Sequence, residues 1–208
     1  MPLLALLDFA SVLVFALTGA LVASRAQLDI VGFAFIACLT AVGGGTVRDV
    51  LLDRNPIFWI AQPGYLWVAC AAALVVFLTA HRFENRLRTL IWLDSFALAI
   101  AVAAGTGVAL SLRSPPTVVV LMGMVTGCMG GLMRDVVVGD VPVVLRQGEL
   151  YVSAAFAGAL VAVLTAPYVA HDLLPLGVCA LTTWVLRAGS LLFGWKIPVY
   201  KGFPPRHD

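Results

Sequence analysis

The sequence predicts an all-α integral membrane protein of seven transmembrane helices, built as a 3+3 inverted repeat plus a seventh helix. Three observations predict it. The 208 residues are 62% hydrophobic and only 12% charged, against about 25% charged in an ordinary soluble domain, and the mean hydropathy is +1.02. The apolar residues gather into continuous runs and do not alternate, which selects helices over a β-barrel, the two architectures that satisfy backbone groups in lipid. Finally, "AVGGGTVRDVLLDRNP" at residues 41–56 returns as "TGCMGGLMRDVVVGDVP", so that Gly44, Arg48 and Pro56 match Gly130, Arg134 and Pro142 at one offset of 86 (130 − 44, 134 − 48, 142 − 56).

In chain order, span 1 (residues 3–24) carries Asp8 and lacks a basic leading segment, so it reads as a retained helix, not a signal peptide. Span 2 (28–52) holds the triple glycine and Arg48–Asp49. Span 3 (65–80) opens at Tyr65 and ends on "LTA". After the polar 82–89 loop, span 4 (90–112) repeats span 1, with "WLD" ending at Asp94 where span 1 has "LLD" ending at Asp8, and Gly105 matching Gly19. Span 5 (116–139) carries the second motif, and span 6 (149–168) repeats Tyr65 as Tyr151 and "LTA" at 164–166. Span 7 (173–195) has no counterpart. Each run is read as long enough for the ~20 residues that cross a ~30 Å hydrocarbon core. The chain is thus one transmembrane domain over 1–208: repeat 1 about 3–81, repeat 2 about 90–168, helix 7 about 173–195, and a short tail 196–208. Three spans per copy is an odd number, so the second copy enters from the opposite face.

Charge distribution orients it. Arg25, Arg82, Arg86, Arg88, Arg146, Lys196, Lys201 and Arg206 fall on the C-terminal side, and only Arg54 and Arg113 on the other. The positive-inside rule then puts the C-terminus in the cytoplasm and the N-terminus outside. Trp59, Tyr65, Trp92, Tyr151, Tyr168, Trp195 and Tyr200 lie near span ends, as interfacial belts require. Cys38, Cys70, Cys128 and Cys179 sit inside spans with no C-x-x-C pair and read as small apolar fillers, with no disulfide or metal site implied.

Adjacent glycines in mid-span are costly, each up to ~1 kcal/mol relative to Ala. Gly43, Gly44, Gly45, Gly130 and Gly131 therefore predict kinks or breaks in spans 2 and 5, whose freed backbone groups must be buried or face water. The alternative is close packing through small residues, which the G-x-x-x-G of Gly123 and Gly127 also suggests. Arg48, Asp49, Arg134 and Asp135 follow within ~5 Å along the helix axis, at a depth where charges face a bundle interior or a water cavity. Adjacent side chains diverge by about 100°, so Arg48 and Asp49 are not expected to pair with each other. Matching depth assigns Asp8 to Arg48 and Asp94 to Arg134. Helix capping is the competing role for the two aspartates, and a structural salt bridge the competing role for the arginines. Arg187, nine residues before Lys196, is expected to snorkel toward the cytoplasm. His81, His171 and His207 lack ligand spacing, so no metal is expected. Among catalytic motifs, no G-x-S-x-G, H-E-x-x-H or P-loop occurs, so the chain is not expected to be an enzyme, and nothing points to nucleic acid.

"GGGTVRDVLL", "GGLMRDVVVGDVP" and the 3+3+1 arrangement resemble the trimeric intracellular cation channel family in its prokaryotic branch, also catalogued as putative glycine transporters. The resemblance implies a homotrimer in a bacterial or archaeal plasma membrane, surrounded by lipid and without a cofactor. Each protomer has its own pore around the two broken helices, permeable to potassium and less selectively to sodium. Glycine hinges fall on Gly43, Gly44, Gly45, Gly130 and Gly131, and pore charges on Arg48, Asp49, Arg134 and Asp135. Met129 stands where the second copy should have its first glycine, predicting a milder break there. The alternative is a secondary transporter of glycine or another small zwitterion, with a freed helix N-terminus holding the carboxylate and Asp49 or Asp135 the ammonium.

Overall fold

The computed structural model describes residues 2–82, 86–146, 148–169 and 173–198. Lys201, Arg206, Tyr200, His171 and His207 lie outside the described residues. Among the described residues eight α-helices follow in order: α1 (Pro2–Arg25), α2 (Ile30–Leu51), α3 (Phe58–Ala61), α4 (Gly64–Thr79), α5 (Arg86–Ser111), α6 (Pro116–Val138), α7 (Val152–Thr165) and α8 (Leu173–Phe193). Five of these are long and apolar enough to cross a membrane: α1, α2, α5, α6 and α8. The third helix of each copy is shorter, α4 having 16 residues and α7 having 14. The reason is the same in both halves: the segment after the charged motif folds back against it and consumes chain before the next helix begins.

The duplication reaches the turns. Gln27 and Arg113 (27 + 86) are both left-handed at φ 55° and 53°, and so are Asp53 and Gly139 (53 + 86) at φ 50° and 81°. The helices α2 and α6 start at equivalent residues behind Asp29 and Pro115 (29 + 86). Asp29 caps α2 by accepting the Gly32 N–H at 2.7 Å, whereas α6 begins on Pro116, whose fixed φ suits a first helical position. One sequence pattern is thus folded twice, with local chemistry exchanged at the ends.

α5 is the axis of the bundle, its apolar stretch 78% buried against 33–56% for the other long helices. It packs on α1, α6 and α8, while α1 packs on α2 and α4, and α2 packs on α6. Alanine makes the close approach feasible: Ala16, Ala20, Ala23, Ala97, Ala101, Ala103 and Ala104 are all buried. The outside is apolar, with Val31, Trp67 and Phe193 more than 70% exposed, as a lipid-facing surface requires. α8 lies beside α5 and α7.

Candidate functional site

The centre of the molecule is the crossing of α2 and α6, and the glycines create it. A methyl group at Gly44 would run into the backbone carbonyl of Thr126, and one at Gly130 into the backbone carbonyl of Thr40. Because Gly44 matches Gly130 and Thr40 matches Thr126 at the 86-residue offset, each helix makes to the other the contact it receives. The two threonines are tied down alike, Thr40 Oγ1 donating to Ile36 O at 2.6 Å and Thr126 Oγ1 to Met122 O at 2.7 Å. Glycines on the first helix of each copy receive them, Gly19 facing Thr40 and Gly105 facing Thr126.

Of the kink or break expected in each helix, the break does not occur. α2 is helical from Ile30 to Leu51 and α6 from Pro116 to Val138, without interruption at Gly43–Gly45 or Gly130–Gly131. Here the glycines serve approach between helices, and the freed backbone groups that a break would produce do not arise. A methyl at Gly45 would meet the Phe58 ring at 2.6 Å, and one at Gly43 the Met133 sulfur at 2.8 Å. At Gly131 the neighbours are looser, the nearest being the Tyr151 hydroxyl at 3.4 Å.

On either side of the crossing sits a buried charge network. Arg48 is fully buried; its Nη1 donates to Asp8 Oδ1 at 2.9 Å and its Nε to Asp49 Oδ1 at 2.8 Å. Arg134 does the same toward Asp94 at 3.0 Å and Asp135 at 2.7 Å, and adds a bond from Nη1 to Thr18 Oγ1 at 3.1 Å. The remaining oxygen of each neighbouring aspartate accepts a backbone N–H from the folded-back segment: Asp49 Oδ2 from Phe58 at 2.9 Å, Asp135 Oδ2 from Val143 at 3.0 Å. Each arginine is therefore paired with two carboxylates, which offsets the cost of desolvating its charge and leaves each Asp–Arg–Asp cluster with a formal excess of one carboxylate, met at the first by Arg54.

Three expectations change here. Arg48 and Asp49 do pair, as do Arg134 and Asp135, because a long guanidinium stem folds back over the angle that separates adjacent Cβ atoms. Asp8 and Asp94 do not cap helices: α1 starts at Pro2 and α5 at Arg86, so both lie within the helix body. Tyr65 and Tyr151 are buried and belong to the site, not to an interfacial belt. Tyr65 stacks on Phe9 with ring centroids 3.9 Å apart and meets Phe58 edge-on at 4.9 Å. Phe58 in turn lies 5.4 Å from the Arg48 guanidinium. Sequence reasoning assigns no site role to Phe58, Tyr65, Tyr151, Arg54 or Thr18; the exact 86-residue match of the two tyrosines is the signal that points to a shared role for them.

The two networks open differently. At the first, a cavity of about 470 Å³ reaches Asp8, Arg54, Phe58, Gln62 and Tyr65. Arg54 Nη1 donates to Asp49 Oδ1 at 2.9 Å. The residue matching Arg54 is Asp140 (54 + 86), so that position supplies the second network with a carboxylate in place of a cation; Asp140 stands 3.7 Å from Arg25. α8 approaches the second network through Tyr151, packing on α5 and α7. Arg187 does not snorkel: it is buried, donates from Nη1 to Glu149 Oε2 at 2.8 Å, and lies 5.2 Å from the Tyr151 ring. The residues after α8 pair with the segment that carries Glu149, Ile197 N–H donating to Gly148 O at 3.1 Å. Among the described residues no group of three or more His, Cys, Asp or Glu is placed to hold a metal.

Apolar helices outside and paired charges within define a multi-pass membrane protein with a duplicated polar interior. A family model described as "Glycine transporter" matches residues 5–81 and 91–167, two blocks again 86 apart (91 − 5, 167 − 81). The chain is 34% identical over 204 residues to a UPF0126 membrane protein of Vibrio cholerae, covering 95% of this chain and 83% of that one. It is 32% identical over 199 residues to the UPF0126 inner membrane protein YadS of Escherichia coli K12, covering 93% and 94%. Among solved structures, a trimeric intracellular cation (TRIC) channel orthologue from Rhodobacter sphaeroides superposes with a TM-score of 0.90 at 38% identity, covering 93% of this chain and 100% of that one. A prokaryotic TRIC channel solved in 0.5 M KCl gives 0.86 at 28% identity, covering 92% and 97%. The chain belongs to this family, the prokaryotic branch of the trimeric intracellular cation channels.

Proposed function

We propose that the protein is a potassium-permeable monovalent cation channel, with one pathway per chain, assembled as a homotrimer in the cytoplasmic membrane. The observation that carries this reading is the reciprocal α2–α6 crossing with an Asp–Arg–Asp network buried on each side. Seven helices cross the bilayer, α4 and α7 as short spans, and the two copies run in opposite directions about a pseudo-twofold axis in the membrane plane. The reciprocity of the Gly44 and Gly130 contacts supports that symmetry, since each partner sees the other as it is seen. The N-terminus faces outside and the C-terminus the cytoplasm, with lipid around the trimer.

In this reading the glycine crossing is the constriction and the structure is a closed state. Opening bends α2 and α6 at Gly43–Gly45 and Gly130–Gly131, where propensity is weakest, and exposes carbonyls such as those of Thr40 and Thr126 to replace ion hydration. Arg48 and Arg134 line the pathway yet do not repel cations, because Asp8 with Asp49 and Asp94 with Asp135 neutralise them. Moving a charge through the full field is worth about 2.3 kcal/mol per 100 mV, so a partial shift of either arginine biases opening with voltage.

The family model's description and the cavity between Asp8 and Arg54, opposite charges about an open space, favour a second reading as a carrier of glycine or a similar zwitterion. Asp49 and Asp135 are unsuited to the ammonium in that case, both being taken up by arginine and backbone donors. Proteoliposome flux separates the readings. Potassium efflux down its gradient, altered in Arg48→Ala and Arg134→Ala while assembly persists, supports the channel. Saturable glycine counterflow without potassium flux supports the carrier.

A further inference from the structure

Cys38 on α2 and Cys70 on α4 are 32 residues apart in the chain, yet their sulfur atoms are 3.7 Å apart. Both are partly exposed, whereas Cys128 and Cys179 are buried. The matching positions of the second copy are Met124 (38 + 86) and Phe156 (70 + 86), so the thiol contact exists in one repeat alone. Neither residue contributes to the charge networks or to the glycine crossing. A disulfide needs sulfur atoms at about 2.05 Å, so the pair stands roughly 1.6 Å beyond bonding distance, on two helices that already pack together.

We propose that Cys38 and Cys70 are a site of reversible oxidation, forming a disulfide that staples α2 to α4 when a lipid-soluble two-electron oxidant reaches them. A fully substituted benzoquinone is the fitting class, because the thiols lie within apolar helices and water-borne reagents are kept from them. The step balances: two S–H bonds break, one S–S bond forms, and two electrons and two protons pass to the quinone, which leaves as the quinol. A dithiol reductant reverses it. Cys38 precedes Arg48 on the same helix by ten residues (48 − 38), about 15 Å along the axis, so the staple holds the helix that carries the first charge network and leaves α6 unlinked.

The test uses the full-length protein in lipid nanodiscs, incubated with decylubiquinone, then denatured, alkylated with N-ethylmaleimide and weighed. The chain has four cysteines. Without quinone it takes up four adducts. With quinone it takes up two, and a non-reduced digest yields one peptide joining Cys38 to Cys70. Cys38→Ser and Cys70→Ser, treated alike, each keep all three remaining thiols. Four adducts after quinone, a bridge involving Cys128 or Cys179, or a bridge between chains overturns the proposal.

Discussion

Arg48 and Arg134 are matched residues held by matched carboxylates, and the difference between their surroundings makes a prediction. Removing one partner of a buried ion pair costs about 3–5 kcal/mol, because the survivor is left charged and desolvated. Arg48→Ala strips Asp8, but Asp49 keeps Arg54 at 2.9 Å. Arg134→Ala strips both Asp94 and Asp135, and Asp140 occupies the place of Arg54. Thermal unfolding in detergent should therefore fall further for Arg134→Ala than for Arg48→Ala, with Asp94→Asn restoring part of the loss in the Arg134→Ala background. Equal losses would mean that Arg54 does not compensate. Depth along the sequence is enough to make the Asp8–Arg48 and Asp94–Arg134 contacts legible. The Arg48–Asp49 contact is not, because a helical-wheel angle describes Cβ directions and a guanidinium reaches well past its own Cβ. Arg187 is opaque for a related reason: its acceptor, Glu149, lies 38 residues away, and nothing local announces it.

Among the helices, the glycine motifs are legible as special, and the sequence leaves break and close packing as two reasons for it. Propensity argues for a break, since glycine costs about 1 kcal/mol in a helix interior; tertiary contact overrides it, since nothing larger fits under the Thr40 and Thr126 carbonyls. The two explanations separate experimentally. Gly44→Ala and Gly130→Ala each force a methyl against a backbone carbonyl and should destabilise by about 1–3 kcal/mol. Gly177→Ala in α8 has nothing within 4 Å of the added methyl and should stabilise by up to about 1 kcal/mol through propensity alone. Unfolding midpoints of the three variants read this directly. A stabilised Gly130→Ala would show that the crossing tolerates a methyl. The length of α4 is legible, its apolar run 65–80 matching the observed 16 residues, whereas α7 starts later than its run 149–168, because the preceding segment folds back to reach Asp135, which hydropathy does not register.

For the molecule as a whole, the duplication is legible almost residue by residue, because 86 separates motif from motif, tyrosine from tyrosine and, in the structure, left-handed turn from left-handed turn. What repetition hides is the departure from it. Arg54 against Asp140, the Cys38–Cys70 contact against Met124 and Phe156, and a cavity at the first network against the Arg187–Tyr151 contact at the second make the two halves unlike. Such asymmetry predicts that current through an open pathway rectifies, and that Arg54→Gln reduces the rectification while leaving the trimer intact. Assembly itself is checked by native mass spectrometry from detergent, where the expected species is three times the mass of one chain and a uniform dimer contradicts the homotrimer. Whether the duplicated Asp–Arg–Asp interior lines an ion pathway is decided most sharply by single-channel recording of the purified protein in a planar bilayer with symmetric potassium chloride. Discrete unitary currents are expected, with an amplitude or open probability that changes in Arg134→Ala. A silent bilayer, from protein that in proteoliposomes exchanges glycine saturably, would contradict the channel.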